Sequence, residues 1–424
     1  MTATTPGGQA RGEEGPAGPA PRVDLGLVRE AGGAIASQVV RTPVARAEVL
    51  SAATGAEVWV KFENLQFTAS YKERGALFRL LSLPEDVARR GLVTSSAGNF
   101  AQAVAHHATR LGLPVTIVMP LDTPRTKVAR TEVLGGTVVH AGRSYDEARA
   151  VAEAMAAERN WTYLSPFDDP YVIAGQGTVA LEYLEDAPDL DVLVVPVGGG
   201  GLVAGMAVAA KALRPGIEVI GVQSARYAGM RAALGAGPPA LGGPTIAEGI
   251  AVAEPGLLTR EIVARLVDHL VVVEEAAIEE AMCLLLEYEK TVVEGAGAAG
   301  LAALLAEPAR FAGRRVGLVL TGGNVDLLLL ASVVTRGMLR SGRLARLSLE
   351  LPDSPGSIGL ATATIGTAGG NILEIRHERS LLDLPSRVVE VAILVETNGA
   401  DHAHQIEEAL RGVGVVVRAR VTPG

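Results

Sequence analysis

The stretch that decides the fold runs from residue 192 to residue 202 and reads Val192-Leu193-Val194-Val195-Pro196-Val197-Gly198-Gly199-Gly200-Gly201-Leu202. Its uninterrupted apolar half predicts a strand buried on both faces, and the Ala-rich segment that follows predicts a helix. Four glycines at the junction allow successive backbone N–H groups to converge on one anion at the start of that helix. The stretch therefore predicts one strand–loop–helix unit of an α/β protein, with either a phosphate site or only a tight turn.

The same alternation of short Val, Ile and Leu runs with Ala-rich segments continues from about residue 24 to residue 352. Such runs lie at residues 92–94, 115–119, 138–140, 219–222 and 316–320. Continuous apolar strands between helices indicate parallel sheets covered on both faces. Because residues 61–165 contain several such units, we expect a smaller lobe inserted in a larger one. Together they would form a catalytic domain of residues 23–340 with a ligand cleft between the lobes.

The pattern changes after residue 338, and residues 340–343 indicate a linker. Strands are predicted at residues 344–350, 371–379, 388–396 and 415–420, with helices at 353–368 and 401–411. The order βαββαβ predicts a ferredoxin-like domain over residues 344–424. Residues 1–22 are rich in Gly, Pro, Ala and Thr, so we expect a disordered tail there.

Composition excludes several classes of protein. The net charge of −9 argues against nucleic acid as a partner. No membrane span is expected, because polar residues interrupt the most apolar stretch, residues 316–334. The single cysteine, Cys283, permits no disulfide within the chain and fits a cytoplasmic protein. No metal is expected, since the histidines have no partners at ligand spacing.

Lys72 lies in Thr68-Ala69-Ser70-Tyr71-Lys72-Glu73-Arg74-Gly75-Ala76, and it is one of five lysines in a chain that otherwise uses arginine for positive charge. A lysine amine can lose its proton and form a Schiff base with an aldehyde, whereas arginine stays charged. A solvated surface lysine is the plain alternative. The loops that accompany Lys72 favour a chemical role.

Two further loops follow predicted strands. Ser95-Ser96-Ala97-Gly98-Asn99 opens a helix at Phe100, and its hydroxyl and N–H groups either bind a carboxylate or only cap the helix. Thr321-Gly322-Gly323-Asn324 follows the strand at residues 316–320, and the Thr321 hydroxyl either binds a ligand or caps a turn. A dinucleotide fingerprint is the rival interpretation of the glycine loop. It is weakened because no acidic residue ends a second strand about twenty residues on.

Together these segments resemble the fold type II (tryptophan synthase β-like) pyridoxal-phosphate enzymes, and more closely the threonine dehydratase (threonine ammonia-lyase) group. The resemblance runs from about residue 39 to residue 336. Beside the lysine segment and the three loops, it rests on residues 165–170, 174–178, 245–252 and 294–298, in family order. The C-terminal domain resembles an ACT domain, with Asp353-Ser354-Pro355-Gly356 and Gly369-Gly370-Asn371-Ile372 at its strand–helix junctions.

The resemblance implies roles for individual residues. Lys72 would form the Schiff base with pyridoxal 5′-phosphate and later accept the substrate α-proton. Asn99 would bind the cofactor's 3-oxygen, and Thr321 would be the hydroxyl partner of the pyridine nitrogen. The remaining roles are the phosphate loop, formed by Gly198, Gly199, Gly200, Gly201 and Leu202, and the substrate-carboxylate site, formed by Ser96, Asn99 and the Phe100 backbone N–H.

The resemblance also implies a reaction. A neutral hydroxyl at the pyridine nitrogen, in place of a carboxylate, favours prompt loss of a β-substituent over prolonged carbanion chemistry. We therefore expect α,β-elimination of water from L-threonine, giving 2-oxobutyrate and ammonia, with L-serine as a second substrate. The alternatives are an L-serine dehydratase or another β-hydroxy amino acid lyase, a β-replacement transferase, and a non-catalytic amino-acid-binding regulator.

Several positions depart from the patterns of related enzymes. Ala97 stands where serine racemases carry the serine that serves the opposite cofactor face, so racemisation is not expected as the main reaction. Phe100 stands where the dehydratases usually have His, and Glu248 where Asp is common, which leaves the substrate preference open.

The ACT resemblance implies pairing of subunits, in a homo-oligomer of two or four chains. It also implies feedback by an amino acid, isoleucine or valine if the enzyme is biosynthetic. A purely structural appendage is the alternative.

Overall fold

The computed structural model describes residues 21–378 and 387–421. Of the expected N-terminal tail, residues 1–20 lie outside the described residues, as do residues 379–386 and 422–424 of the predicted C-terminal domain. The strands are β1 (Val44–Arg46), β2 (Glu57–Lys61), β3 (Leu92–Ser95), β4 (Val115–Met119), β5 (Thr137–His140), β6 (Thr162–Tyr163), β7 (Val192–Pro196), β8 (Glu218–Ser224), β9 (His269–Val273), β10 (Arg315–Val319), β11 (Leu344–Pro352), β12 (Asn371–Glu378), β13 (Val388–Glu396) and β14 (Val416–Val421).

The helices alternate with these strands. They are α1 (Leu25–Ile35), α2 (Glu48–Thr54), α3 (Lys72–Leu81), α4 (Glu85–Arg90), α5 (Asn99–Arg110), α6 (Arg125–Val133), α7 (Tyr145–Arg159), α8 (Pro170–Asp186), α9 (Gly201–Leu213), α10 (Gly229–Ala233), α11 (Leu257–Leu266), α12 (Glu275–Tyr288), α13 (Gly295–Ala306), α14 (Pro308–Phe311), α15 (Leu327–Arg340), α16 (Ser357–Thr367) and α17 (Ala400–Gly412). Short 3-10 turns lie at Glu63–Leu65, Ala225–Tyr227 and Glu248–Ile250.

The larger lobe is built on a sheet with strand order β1-β2-β10-β7-β8-β9. Its strands are parallel except β1, which pairs antiparallel with β2. Successive side chains of β7 point to opposite faces. Leu193 and Val195 belong to the core shared with α8 and α9, whereas Val192 and Val194 belong to the core shared with α12 and α13. Helices therefore cover both faces, as the continuous apolar run predicted.

The smaller lobe is a parallel sheet with strand order β5-β4-β3-β6. Leu92 and Ile117 pack toward α5, and Val93 and Val118 pack toward α7. The predicted two-lobed α/β architecture is thus confirmed.

The C-terminal part forms a separate antiparallel sheet in the order β12-β13-β11-β14, with α16 and α17 packed on one face. The element order β11-α16-β12-β13-α17-β14 confirms the predicted βαββαβ pattern. Its connection to the larger lobe is α15, a continuous helix that begins just after the Thr321 loop and is followed closely by β11. Among the described helices, none combines the length and the apolar character that crossing a bilayer requires.

Candidate active site

The lysine segment and the Thr321 loop lie side by side because they follow neighbouring strands. The parallel strands β2 and β10 pair through Lys61 and Val319, so both end at the same edge of the large sheet. Beyond that edge, the backbone N–H of Tyr71 donates to the Thr321 carbonyl oxygen at 3.1 Å. An isolated antiparallel bridge joins Ser70 to Gly322. The residue that precedes Lys72 is thereby held directly against Thr321.

Lys72 differs from the other four lysines in its partners. Lys61 pairs with Glu182 at 2.6 Å and Lys211 with Asp268 at 2.7 Å, while Lys127 pairs with Glu248 and Lys290 donates to the carbonyl of Glu287. The partly buried Lys72 amine donates to no acceptor in the described part of the chain. The nearest aromatic ring, that of Tyr71, has its centroid 5.0 Å away. Lys72 thus carries the one lysine amine that the described residues leave available for a covalent bond.

The glycine loop offers unpaired donors at the start of a 13-residue helix. The backbone N–H groups of residues 198–202 donate to no acceptor among the described residues. Gly200 has φ 97°, a left-handed conformation that disfavours side chains, and a Cβ on Gly199 would overlap the ring of Phe167. Unpaired N–H groups and the positive end of the helix dipole both attract an anion, so the loop has the features of a phosphate site.

The loop before α5 presents both an amide and an open surface. Asn99 is the first residue of α5, and the Ser96 hydroxyl accepts the Gly98 N–H at 3.3 Å, so Ser96 does stabilise the turn. A Cβ on Gly98 would meet no atom within 4 Å, which shows open space beside the loop. The Phe100 side chain is buried in the core of the smaller lobe, and only its backbone remains for a ligand.

Glu294 lies in the site, although no role was predicted for it from the sequence. Its Oε1 accepts the Asn99 amide N–H at 2.8 Å, and the Asn324 amide donates to Asn99 Oδ1 at 2.9 Å. The Glu294 backbone N–H donates to the carbonyl of Gly322 at 3.0 Å. Together these contacts hold Asn99 with a defined amide orientation.

The environment of Glu294 also changes its acidity. Burial raises the pKa of this carboxyl to about 7, although the hydrogen bond from Asn99 and the positive charges of Lys127 and Lys72 oppose the rise. A signal was available in the sequence, because Glu294 occupies the N-cap position of α13, where Ser, Thr, Asp and Asn are the usual caps. Its side chain makes no cap hydrogen bond and is therefore available to Asn99.

The turn Glu248–Ile250 connects Glu294 with the glycine loop and with the smaller lobe. A Cβ on Gly249 would lie 3.1 Å from Glu294 Oε1, and a Cβ on Gly198 would lie 2.9 Å from Ile250 Cα. From the opposite lobe, Lys127 of α6 forms an ion pair with Glu248. Pairwise contacts therefore connect the lysine, threonine, amide and glycine segments, and two of these contacts join the two lobes.

Two lobes of parallel sheet with a covalently available lysine at their boundary define a fold type II pyridoxal-phosphate enzyme. Comparison with known proteins agrees, since residues 35–322 match the family described as "Pyridoxal-phosphate dependent enzyme". The L-threonine ammonia-lyase of Thermotoga maritima is 41% identical over 398 residues, which cover 93% of this chain and 99% of the relative.

Solved structures of related enzymes share the fold. The processed form of threonine deaminase isoform 2 from Solanum lycopersicum superposes with a TM-score of 0.69 and 32% identity, covering 73% of this chain and 87% of the other. Maize serine racemase superposes with a TM-score of 0.68 and 34% identity, covering 74% of this chain and 98% of the other. This chain belongs to the pyridoxal-phosphate dependent enzyme family, in the group of the L-threonine ammonia-lyases.

Proposed function

We propose that the protein deaminates L-threonine to 2-oxobutyrate and ammonia by α,β-elimination of water, and that it also converts L-serine to pyruvate. The observation that carries the proposal is the amine of Lys72, which has no hydrogen-bond acceptor among the described residues and lies beside the Thr321 loop. The name of the Thermotoga maritima relative, which is matched over nearly its whole length, supports the same substrate.

The residues present fit the cofactor. We infer that the unpaired N–H groups of residues 198–202 hold its phosphate, that Asn99 binds its 3-oxygen and that the Thr321 hydroxyl binds its pyridine nitrogen. The Ser70 hydroxyl is fully buried and has no partner among the described residues, so it is available to a polar group of the cofactor beside Lys72. When bound, pyridoxal phosphate supplies an aldehyde for the lysine and a conjugated ring that takes up electrons from the substrate Cα–H bond.

The protein's own groups then position the substrate and move its protons. The backbone N–H of Phe100, with Ser96 and Asn99, would hold the substrate carboxylate at the start of α5. Lys72 Nζ would accept the Cα proton, and the β-hydroxyl group would leave as water after gaining a proton. Thr321 offers a neutral hydroxyl in place of a carboxylate, which favours rapid elimination.

The test measures 2-oxobutyrate formed from L-threonine by the purified holoenzyme, alongside pyruvate formed from L-serine. Lys72→Arg keeps the charge but cannot form a Schiff base, so it should lose nearly all activity. Lys211→Arg is the matched control, because it keeps the ion pair with Asp268, and it should remain active. An active Lys72→Arg variant would overturn the proposal, and a higher kcat/KM for L-serine would make the protein an L-serine dehydratase.

We further propose a division into a catalytic domain of residues 23–340, with a smaller lobe at about 61–165, and an ACT regulatory domain of residues 344–424. The ACT domain would pair across subunits of a cytoplasmic dimer or tetramer and bind isoleucine or valine. The βαββαβ order of the C-terminal sheet and helices supports this proposal. Calorimetric titration of the full chain with isoleucine and valine tests it, and absence of binding to both would contradict the sensor role.

A further inference from the structure

The carboxylate that follows Lys72 in the sequence is buried and holds the backbone of the preceding turn. The Glu73 side chain is 1% exposed, and its Oε1 accepts the backbone N–H of Thr68. Between these two residues, Ala69 has φ 56°, in the left-handed region that a residue with a Cβ rarely adopts. Such a conformation persists only where the surroundings hold it, and the Glu73 hydrogen bond spans it directly.

The second oxygen of the same carboxylate faces another helix. His107 Nε2 lies 3.5 Å from Glu73 Oε2, and the His107 side chain is fully buried. Burial alone would raise the pKa of Glu73, but His107 and the Thr68 N–H hold that pKa below its usual range. His107 belongs to α5, which begins at Asn99. The pair therefore links the helix that begins at Lys72 to the helix that begins at Asn99.

The body of α3 is anchored by contacts of Arg74 and not by Glu73. The guanidinium of Arg74 pairs with Glu63 at 2.8 Å and with Glu182 at 2.7 Å, and these two carboxylates secure the helix itself. Loss of the Glu73 carboxylate would leave those ion pairs intact while the Thr68 N–H lost its acceptor. The effect should therefore fall first on the turn that delivers Lys72.

We propose that Glu73 and His107 are positioning residues, which fix the left-handed turn at Ala69 and so set the place of Lys72 relative to Asn99. The inference rests on the proposed function, since it assumes that Lys72 is the residue joined to the cofactor. Neither side chain touches the substrate in this scheme; both act through the backbone that carries the lysine.

The experiment follows attachment of pyridoxal phosphate to cofactor-free protein. The rate is read from the visible absorbance of the lysine–cofactor bond. The extent is read by borohydride reduction, which adds hydride to that C=N bond, and peptide mass. Glu73→Ala should slow attachment about tenfold, as expected for an unsatisfied buried N–H. Glu279→Ala is the matched control, since Glu279 is a buried carboxylate paired with Arg336 and Arg340 in α15; it should lower the melting temperature without changing the attachment rate.

A second substitution separates positioning from general stability. Glycine adopts positive φ without strain, so Ala69→Gly in the Glu73→Ala background should recover most of the attachment rate. His107→Gln should slow attachment in the same direction as Glu73→Ala. If Glu73→Ala does not fold, Glu73→Gln takes its place, with a slowing of about threefold expected because the amide still accepts the Thr68 N–H.

The outcomes separate the two proposals. If the wild-type protein attaches the cofactor at Lys72 but the Glu73 and His107 variants do so at the wild-type rate, the positioning role is wrong and the proposed function stands. If Ala69→Gly fails to restore the rate, the pair is only structural, which also overturns the inference. If the wild-type protein attaches no cofactor at Lys72, the proposed function itself fails.

Discussion

The backbone N–H of Tyr71 donates to the carbonyl oxygen of Thr321 at 3.1 Å, across the ends of two neighbouring parallel strands. The two residues are 250 positions apart in the sequence, and this bond holds the lysine segment against the threonine loop. Lys72 and the Thr321 hydroxyl are therefore held by the same backbone pairing. A change to either residue can be tested without disturbing the sheet that supports them.

Replacing Thr321 tests the proposal that its hydroxyl binds the pyridine nitrogen of the cofactor. Thr321→Val removes the hydroxyl at nearly constant shape and should lower kcat for L-threonine about tenfold, the typical effect of one lost hydrogen bond to a buried acceptor. Thr321→Ser keeps the hydroxyl and should stay within about threefold of the wild type. Steady-state kinetics check both variants, and equal loss in both would show that the hydroxyl is not the group that matters.

Substitution of Gly200 tests whether cofactor binding depends on the left-handed conformation of the glycine loop. Gly200→Ala places a Cβ 2.6 Å from Met230 Cε at φ 97°, and should cost about 1–3 kcal/mol of stability and weaken cofactor binding more than tenfold. Gly112→Ala is the matched control, because Gly112 has φ 67° with no atom near its Cβ. That control should lose about 1 kcal/mol and bind the cofactor normally, as measured by unfolding and fluorescence titration. Equal cofactor affinity in both variants would contradict the assignment of the phosphate site.

Glu294 predicts a pH dependence of stability for the cofactor-free protein. Its folded-state pKa of about 7 lies above the ordinary value of 4.5, so the folded state binds the proton more tightly than the unfolded state. Its contribution is fully present below pH 4.5 and is lost as pH rises through about 7. Relative to the wild type, Glu294→Gln should lack this decline between those two pH values, as measured by denaturant unfolding. If the free energy of unfolding changes with pH in the same way in both proteins, the pKa of the Glu294 carboxyl is not raised.

The ion pair between Lys127 and Glu248 predicts a modest coupling between the lobes. Both side chains are partly exposed, so the pair should contribute only about 0.2–1 kcal/mol. Lys127→Glu should raise KM for L-threonine a few-fold by placing two like charges across the cleft, and added salt should reduce the effect. The exchanged pair, Lys127→Glu with Glu248→Lys, should recover most of the affinity. No recovery would mean that Lys127 acts by some other contact.

Long apolar strands could be predicted from the sequence because burial on both faces leaves a continuous pattern. The predicted bounds of β4 and β13 match the observed ones, and β7 differs by one residue. The strands β1, β6 and β9 were not predicted. The first two have three and two residues, and β9 is only partly buried, so pairing with neighbouring strands defines them rather than their own composition.

Within the candidate site, the segments that follow strands were recognisable, because strand ends and glycine loops leave local patterns. The side-chain contacts that those segments make could not be predicted from the sequence. Asn99 and Glu294 are 195 positions apart, and only the fold brings the amide to the carboxyl. Glu73 gave no sequence signal of its own, because a carboxylate beside a lysine is ordinarily a solvated surface residue. Its burial follows from the packing of α3 against α5.

The claim that Lys72 is the reactive amine is tested most directly by identifying which lysine is covalently joined to the cofactor. The holoenzyme is reduced with borohydride, digested, and each of the five lysines is examined by peptide mass spectrometry. The predicted result is a pyridoxyl-phosphate group on Lys72 in close to one copy per chain, with the other four lysines unmodified. The group on Lys127 or another lysine, or on none, would contradict the proposed chemistry.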